Sequence, residues 1–332
     1  AISNFRISNF LIDLGLRYDF NYYNAKKFYI KSRWESLGYD DKYANLIIGE
    51  DGNQYLTNPV FRYHNVALSA GLNYKINDKQ DIAINYSLSN RAPNPSELFS
   101  DGLHHSASRI ELGNLNLNQE RSNRFGLSYR NVSKKIKLNL ESYANLIEDY
   151  IFIQPTGIEQ TIRGAFPVYG YKRTNALIYG VDVDVQFFMN DYFSYSNKAS
   201  YIIGNDTSND IPLIDMPPLQ ISNGVTYKNK SNYITLTHDY VGKQNRFPNN
   251  NFTVFLSTTQ ENALVDVSSS PEDYNIFNFE TGTSFNMSQT KIELNLSLNN
   301  IFNTQYRNYL NRFRFYSDEL GRNIKLQLII KY

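Results

Sequence analysis

NFLIDLGLRYDFNYY, residues 9–23, alternates almost without a break. Phe10, Ile12, Leu14, Leu16, Tyr18, Phe20 and Tyr22 share one parity; Asn9, Leu11, Asp13, Gly15, Arg17, Asp19 and Asn21 share the other. Successive side chains of a strand point to opposite faces, so this pattern predicts a strand that is apolar on one side from end to end. The scheme returns in Leu68, Ala70, Leu72, Tyr74 and Ile76, and in Tyr179, Val181, Val183, Val185 and Phe187 set against Asp182, Asp184 and Gln186. It returns again in Ile292, Leu294, Leu296 and Leu298, and in Leu326, Leu328, Ile330 and Tyr332. Read this way, the chain holds about twelve strands.

The connections between the runs carry as much information. Tight polar turns are expected near 77–80, 133–134, 190–191, 229–231 and 288–289, and long connections at 24–60, 92–119, 153–167, 204–216, 245–272 and 303–322. Short and long alternate throughout. Unstructured loops beyond about 15 residues are uncommon in compact domains, whereas outer-membrane barrels have short turns at the periplasmic end and long loops outside. Inside hydrocarbon every backbone N–H and C=O needs an internal partner, which leaves helices and closed sheets as the only spanning structures. No apolar run approaches the roughly 18 residues that mark a membrane helix, and mean hydropathy is −0.49. A barrel shows neither sign, because only alternate residues meet lipid. The expectation is therefore an all-β transmembrane antiparallel barrel over residues 1–332, with Tyr22, Tyr23, Tyr150, Phe152, Tyr192 and Phe193 in interfacial aromatic girdles. Its first long strand runs outward, and the C-terminal aromatic Tyr332 ends on the periplasmic side.

Composition excludes several functions. Aromatics form 15% of the chain, with 27 Tyr and 21 Phe against one Trp. The net charge is only +1 without a basic block, which argues against nucleic-acid binding. The chain has no cysteine, so disulfides, thiolate metal sites and cysteine nucleophiles are excluded. No catalytic triad spacing, phosphate-binding glycine loop or carboxylate pair stands out, and no enzyme is expected. Asn131, Asn205 and Asn251 match the glycosylation sequon and are read as coincidence in an Asn-rich chain. AISNFRISNF at the start has neither a basic nor an apolar block, so no export signal is read there.

RAPNPSELFSDGLHH, residues 91–105, follows a strand that stops at Arg91. Pro93 and Pro95 stiffen the segment, and adjacent His104 and His105 close it. Imidazole suits zinc, copper or iron, which makes His104 and His105 candidate metal ligands, although adjacent residues of an extended segment point apart. Arg91, Tyr169 and Tyr171 are further candidate ligand contacts, and Tyr306, Tyr309 and Tyr316 are loop tyrosines able to stack on an aromatic chelate. Acidic residues of the first loop, Asp40, Asp41, Glu50 and Asp51, are possible long-range partners. Arg17, Asp182, Asp184 and Lys325 are expected on the lumen face.

RAPNPSELFSDGLHH resembles the arginine-proline and glutamate-leucine-aromatic loop of the TonB-dependent outer-membrane receptors. ELGNLNLNQERSN, residues 111–123, is similar to that family's glycine-asparagine-proline stretch, with Leu115 and Gln119 in place of its prolines. TNALIYGVDVDV, residues 174–185, resembles its glycine-acid strand, with Asp182 where glutamate is usual. LSLNNIFNTQYRNYL, residues 296–310, and GRNIKLQLIIKY, residues 321–332, are similar to its last two strands. The resemblance covers most of the chain from residue 61, in family order, and lies nearest the zinc, haem and ferric-complex branch. It implies a Gram-negative outer-membrane receptor whose barrel has about 22 strands around a plug. This chain would supply the C-terminal twelve, with the plug and the remaining strands outside it. It further implies import of a scarce metal or metal complex, with zinc, ferric siderophore, haem or cobalamin as cargo. The expected partners are lipid and lipopolysaccharide around the barrel and the TonB complex as energy source. A passive porin or a secreted carbohydrate-binding β-protein is the alternative; the latter requires the apolar faces to meet across a two-layer interior.

Overall fold

The computed structural model describes residues 1–162, 164–256, 259–287 and 289–331. Among them one sheet follows a continuous antiparallel path. Its strands are β1 (Ile2–Ile7), β2 (Phe10–Asn24), β3 (Val60–Asn77), β4 (Gln80–Arg91), β5 (Glu120–Val132), β6 (Ile136–Thr161) and β7 (Gly164–Phe188). β8 (Phe193–Asp206), β9 (Gln220–Lys228), β10 (Asn232–Val241), β11 (Tyr274–Met287), β12 (Thr290–Asn299) and β13 (Asn323–Lys331) complete it. Every strand pairs with its predecessor in sequence. Twelve match the expected runs, and the additional one is the short edge strand β1, which pairs Ile2–Ile7 with residues 10–15 of β2. Tyr332 and Ser288, part of the expected insertion signal and of the last short turn, lie outside the described residues.

Register fixes which side chains share a face. One row runs from Phe5 through Ile12, Leu72, Ile84, Leu127, Ser142 and Val181 to Tyr201. A second runs from Ile136 through Phe187, Tyr195, Val225, Leu236 and Phe279 to Leu298 and Ile324. These rows are not covered: Leu16, Ile84, Leu127, Leu236 and Leu326 are 54, 57, 51, 48 and 68% exposed. A single sheet whose apolar face stays open is opposite to a sandwich, so the two-layer carbohydrate-binding reading fails. Asn197 and Asn223 also lie on this face and are satisfied there, Asn197 donating to Asn223 and Tyr195 donating to Asn223. The other face is concave and polar. It encloses a hollow of about 820 Å³ lined by Glu141, Asp182, Asp184, Lys198, Gln220 and Asp239 among others. On this face the Tyr143 ring lies across Gly180 of the neighbouring strand; a Cβ at Gly180 would come within 2.9 Å of the Tyr143 hydroxyl and 2.8 Å of the Tyr201 carbonyl oxygen.

Aromatics gather toward both ends of the strands, Phe10 against Tyr74 and Phe193 against Tyr227 at the short turns, Tyr18 and Phe20 against His64 nearer the loops. Three residues assigned to the girdles face inward instead: Tyr23, Tyr150 and Phe152, which shares the face of Tyr150 and stacks on its ring at 6.1 Å. Tyr23 follows the outward Tyr22 and so takes the opposite face, against Tyr63. Tyr150 follows a bulge between Ile147 and Tyr150 that shifts the register, and packs beside Leu213 and Ala176.

The connection expected at 153–167 is strand. β6 and β7 stay paired up to Thr161 and Gly164, with a second irregularity between Pro155 and Gly157 that accommodates the proline. The hairpin extends well beyond the 9–11 or so residues that a tilted crossing requires. Above the sheet, the loops build the buried apolar clusters, so the core of this molecule lies in its cap.

Candidate functional site

The cap begins at Arg91. After it, Pro93 and Pro95 rigidify the chain, and Asn94 caps a short helix, Pro95–Phe99: its side chain accepts from Glu97 N–H at 2.9 Å while Glu97 accepts from Asn94 N–H at 2.8 Å. The same Glu97 carboxylate accepts from Arg91 Nη1 at 2.9 and 3.1 Å, and Arg91 Nε donates to Glu120 at 2.5 Å. Glu120 in turn accepts from Ile151 N–H at 2.6 Å. The Arg91 guanidinium therefore ties the tops of β4, β5 and β6 to the loop. From the other side, Gly113 N–H donates to the Ser100 carbonyl at 2.6 Å and Asn114 N–H to that of Glu97 at 2.8 Å, which seats ELGN on the helix.

The first loop, 25–59, docks on this helix. It forms a small sheet of Lys27–Ile30, Gln54–Thr57 and Ile47–Asp51 and buries Trp34 and Tyr39 against Tyr29 and Leu115. Arg33 reaches Asp101 at 3.4 Å and Glu159 of the long hairpin at 2.7 Å. Lys27 donates to the Phe99 carbonyl and faces Asp101 at 3.8 Å. Burial brings its ammonium down to about 8, against the pull of Asp101 and with Arg33 adding to the fall. Of the expected acidic partners in this loop, Glu50 pairs with Lys31 at 2.6 Å.

The hairpin Asp101–His104/Arg109–Leu112 folds from the first cap helix onto β7, where Arg109–Leu112 run parallel to Val168–Gly170. This lays Arg109, 5% exposed, over the Tyr169 ring at 4.5 Å and against Glu111 at 2.6 Å. Tyr171, two residues on, packs into the cluster of Leu98 and Ile151. The last loop, 300–322, adds a second buried arginine. Arg314 is sandwiched by Tyr309 and Phe315 at 4.7 and 4.6 Å, donates to the Tyr309 carbonyl at 2.7 Å and stands 3.9 Å from Asp215. Its Nε is buried without a hydrogen-bond partner. Loss of hydration against the surrounding loops lifts the Asp215 carboxyl above the ordinary range, with Arg314, Arg312 and Arg109 pulling it down, although the side chain stays half exposed. Arg109, Arg312, Arg314, Tyr169 and Tyr309 thus lie on the side of this half-exposed carboxylate that faces the loops, and the last loop also contributes Tyr306, Asn308 and Glu319 to the polar hollow.

Of the residues expected to touch ligand, the fold gathers Tyr169 with Arg109 and brings His104 opposite Arg109 in the hairpin register, with His105 in the turn that follows. Arg91 stands apart, in the clamp. Among the described residues, no group of three or more His, Asp or Glu converges as a metal cage. Arg109, Asp215 and Arg314 escaped sequence reading because their meeting depends on loops two hundred residues apart; the cationic-aromatic alternation NRFRFY, 311–316, was the available signal.

A model of the family described as TonB dependent receptor-like, beta-barrel, matches residues 1–313. Among solved structures, the copper transporter OprC superposes with a TM-score of 0.73 at 15% identity, over 97% of this chain and 45% of that one. The ferric citrate transporter FecA, unliganded, gives 0.65 at 14% identity, over 97% and 43%. The FrpB iron transporter from Neisseria meningitidis, F3-3 variant, gives 0.61 at 13%, over 98% and 43%. The chain spans less than half the length of each. Strand order, an uncovered apolar face, a polar concavity and the family match agree: this chain belongs to the TonB-dependent receptors, outer-membrane proteins of Gram-negative bacteria, as part of their β-barrel.

Proposed function

We propose that this chain is part of an importer that captures an anionic metal chelate, a ferric siderophore foremost, at its loop end and passes it inward with energy from a TonB complex. The observation that carries the reading is the arginine-aromatic cluster around Asp215, in which the buried Arg314 Nε lacks a partner. Guanidinium groups held against aromatic rings suit carboxylate or catecholate oxygens on a flat ligand. A bare zinc or copper ion would need converging ligands, and the described residues offer no such group. His104 and His105 would add contacts from the neighbouring hairpin, whereas Arg91 would act by holding the loop in place. Haem, a flat ring with two carboxylates, would meet the same groups, whereas cobalamin is less suited because its periphery is mostly uncharged amide. The names of the structural neighbours, transporters of copper, iron and ferric citrate, accord with metal import.

The sheet itself calls for completion. Among the described residues β1 and β13 each pair on one side only and do not meet, and open edges in lipid are prohibitively costly. Further strands of the same receptor would close the barrel, with a plug on the polar face. In the complete receptor, Arg109→Met with Arg314→Met should weaken binding of ferric citrate or a ferric catecholate about tenfold or more, and exposed Arg312→Gln should do so to a smaller degree without disturbing the fold. Uptake of radiolabelled iron chelate and equilibrium binding measure this. Unchanged chelate affinity in both variants, or tighter binding of free zinc than of any chelate, contradicts the reading.

A further inference from the structure

We propose that the short-turn rim between β5 and β10 is a binding site for an anionic phospholipid. Three turns lie side by side there. Lys134 and Lys135 form the tip of the first, which Ser133 N–H closes by donating to the Ile136 carbonyl at 2.8 Å. Lys230 is at the tip of the third, closed by Asn229 N–H on the Asn232 carbonyl at 2.8 Å. Between them the turn from Met189 to Phe193 is closed by Met189 N–H on the Phe193 carbonyl at 2.9 Å, while Asn190 Oδ1 accepts from Tyr192 and Phe193 N–H. Backbone bonds lace the three together: Phe188 N–H donates to the Lys135 carbonyl and Lys228 N–H to the Tyr192 carbonyl, both at 2.8 Å.

Charge sets this rim apart from the other short turns. Lys134, Lys135, Lys228 and Lys230 are all exposed, and the three turns offer only Asp191 against them. Among the described residues none of these lysines has an ion-pair partner. At the β3–β4 turn, by contrast, Lys75 pairs with Asp78 at 2.8 Å, and past β10 Lys291 and Lys331 both pair with Glu293, at 2.7 and 2.9 Å. Uncompensated cations are therefore concentrated in one sector. The middle turn adds an apolar surface to it. Met189 and Tyr192 are 54 and 56% exposed, and Tyr227 lies 6.3 Å from the Tyr192 ring and 5.1 Å from that of Phe193. Phe193 and Tyr227 stand opposite each other on the uncovered apolar face, two residues from Tyr195 and Val225 of its second row.

Rings on the lipid wall with unpaired ammonium groups on both flanks match one chemistry: a phosphate held by the lysines, with acyl chains laid against the rings and the Met189 side chain. Short turns lie at the periplasmic end of an outer-membrane barrel, where the adjoining leaflet is phospholipid. A zwitterionic headgroup brings its own cation and cancels much of the attraction, so phosphatidylglycerol or cardiolipin is favoured over phosphatidylcholine. An acidic protein would meet the lysines but not the rings that face hydrocarbon.

Native mass spectrometry of the complete receptor, released from detergent micelles after incubation with one lipid at a time, tests this. Phosphatidylglycerol and cardiolipin should be retained at about tenfold lower concentration than phosphatidylcholine. Lys134→Gln combined with Lys135→Gln and Lys230→Gln should abolish that preference, whereas Lys75→Gln, whose ammonium already has Asp78, should leave it intact; heat-modifiable migration verifies that both variants fold. Neither glycerol phosphate, an anion without chains, nor polyglutamate, a stand-in for an acidic protein, should displace the lipid. Equal retention of anionic and zwitterionic lipids, an unchanged preference in the triple variant, or displacement by either soluble anion overturns the proposal. Chelate binding is scored separately at the loop end, so failure here leaves the importer reading untouched, and the reverse.

Discussion

Leu127→Arg should destabilise the folded barrel in phospholipid vesicles by about 2–4 kcal/mol, the cost of a cation on the lipid face near the bilayer midplane. Leu127 sits in the middle of β5, half exposed, beside Ile84 in the outward row. Ser128→Arg, one residue on, should change stability by no more than about 0.5 kcal/mol. Ser128 lies on the polar concave face, directly opposite Glu141, where a guanidinium gains a carboxylate partner. Denaturant unfolding in vesicles, followed by heat-modifiable migration on gels, measures both. The difference between two adjacent positions is informative because propensity and chain location are shared; only the face differs. Equal penalties, or a larger one at Ser128, contradict the assignment of faces.

The second large effect is expected in the cap. A Cβ at Gly113 would fall 2.5–2.6 Å from the Leu98 carbonyl carbon and oxygen and the Phe99 nitrogen, all backbone atoms that no rotamer change can move aside. Gly113→Ala must push ELGN off the helix, breaking the bonds from Gly113 to Ser100 and from Asn114 to Glu97. Overpacking of this kind costs about 1–3 kcal/mol. Because Leu115 packs on Trp34 and Tyr39, the disturbance should spread to the first loop. Trp34 is the sole tryptophan of the chain. Hydrogen exchange should accelerate across residues 92–119 and 27–57, while the barrel strands keep their protection. Gly49→Ala, with open space around its Cβ position, is the control and should leave exchange unchanged. Matching exchange in the two variants would show that the close approach at Gly113 is not what holds the cap.

The barrel wall was legible in sequence because its determinant is local. A period-two apolar pattern can be read one strand at a time, and the alternation of short turns with long connections is equally local. β1 was missed because ISNFRI places Ile2 on one face and Phe5 with Ile7 on the other, so only pairing with β2 reveals it. The strand character of 153–167 is masked in sequence by Pro155, Gly157 and Gly164; in the fold the irregularity between Pro155 and Gly157 absorbs the first two and Gly164 opens the returning strand. Tyr23 was misplaced by reading aromatic content without parity, and Tyr150 by a bulge that sequence does not announce. The site was the least legible part. His104 and His105 stand out because they are adjacent in a chain with four histidines. Arg109, Asp215 and Arg314 become a cluster only after hairpin and loops have folded over the sheet. The same holds for Arg91, whose position at a strand end suggested ligand contact, while its two carboxylate partners lie 6 and 29 residues away.

Cysteine scanning along β5 tests the central claim most directly, since the chain contains no cysteine of its own. Spin labels placed singly at 124–130, in the receptor reconstituted into lipid, report collisions with oxygen, which concentrates in hydrocarbon, and with a water-soluble nickel chelate. Oxygen should dominate at 125, 127 and 129, and nickel at 124, 126, 128 and 130. A pattern without this alternation, or low collision rates at 125, 127 and 129 with both reagents, would mean that the apolar face packs against protein, and the barrel account would be wrong.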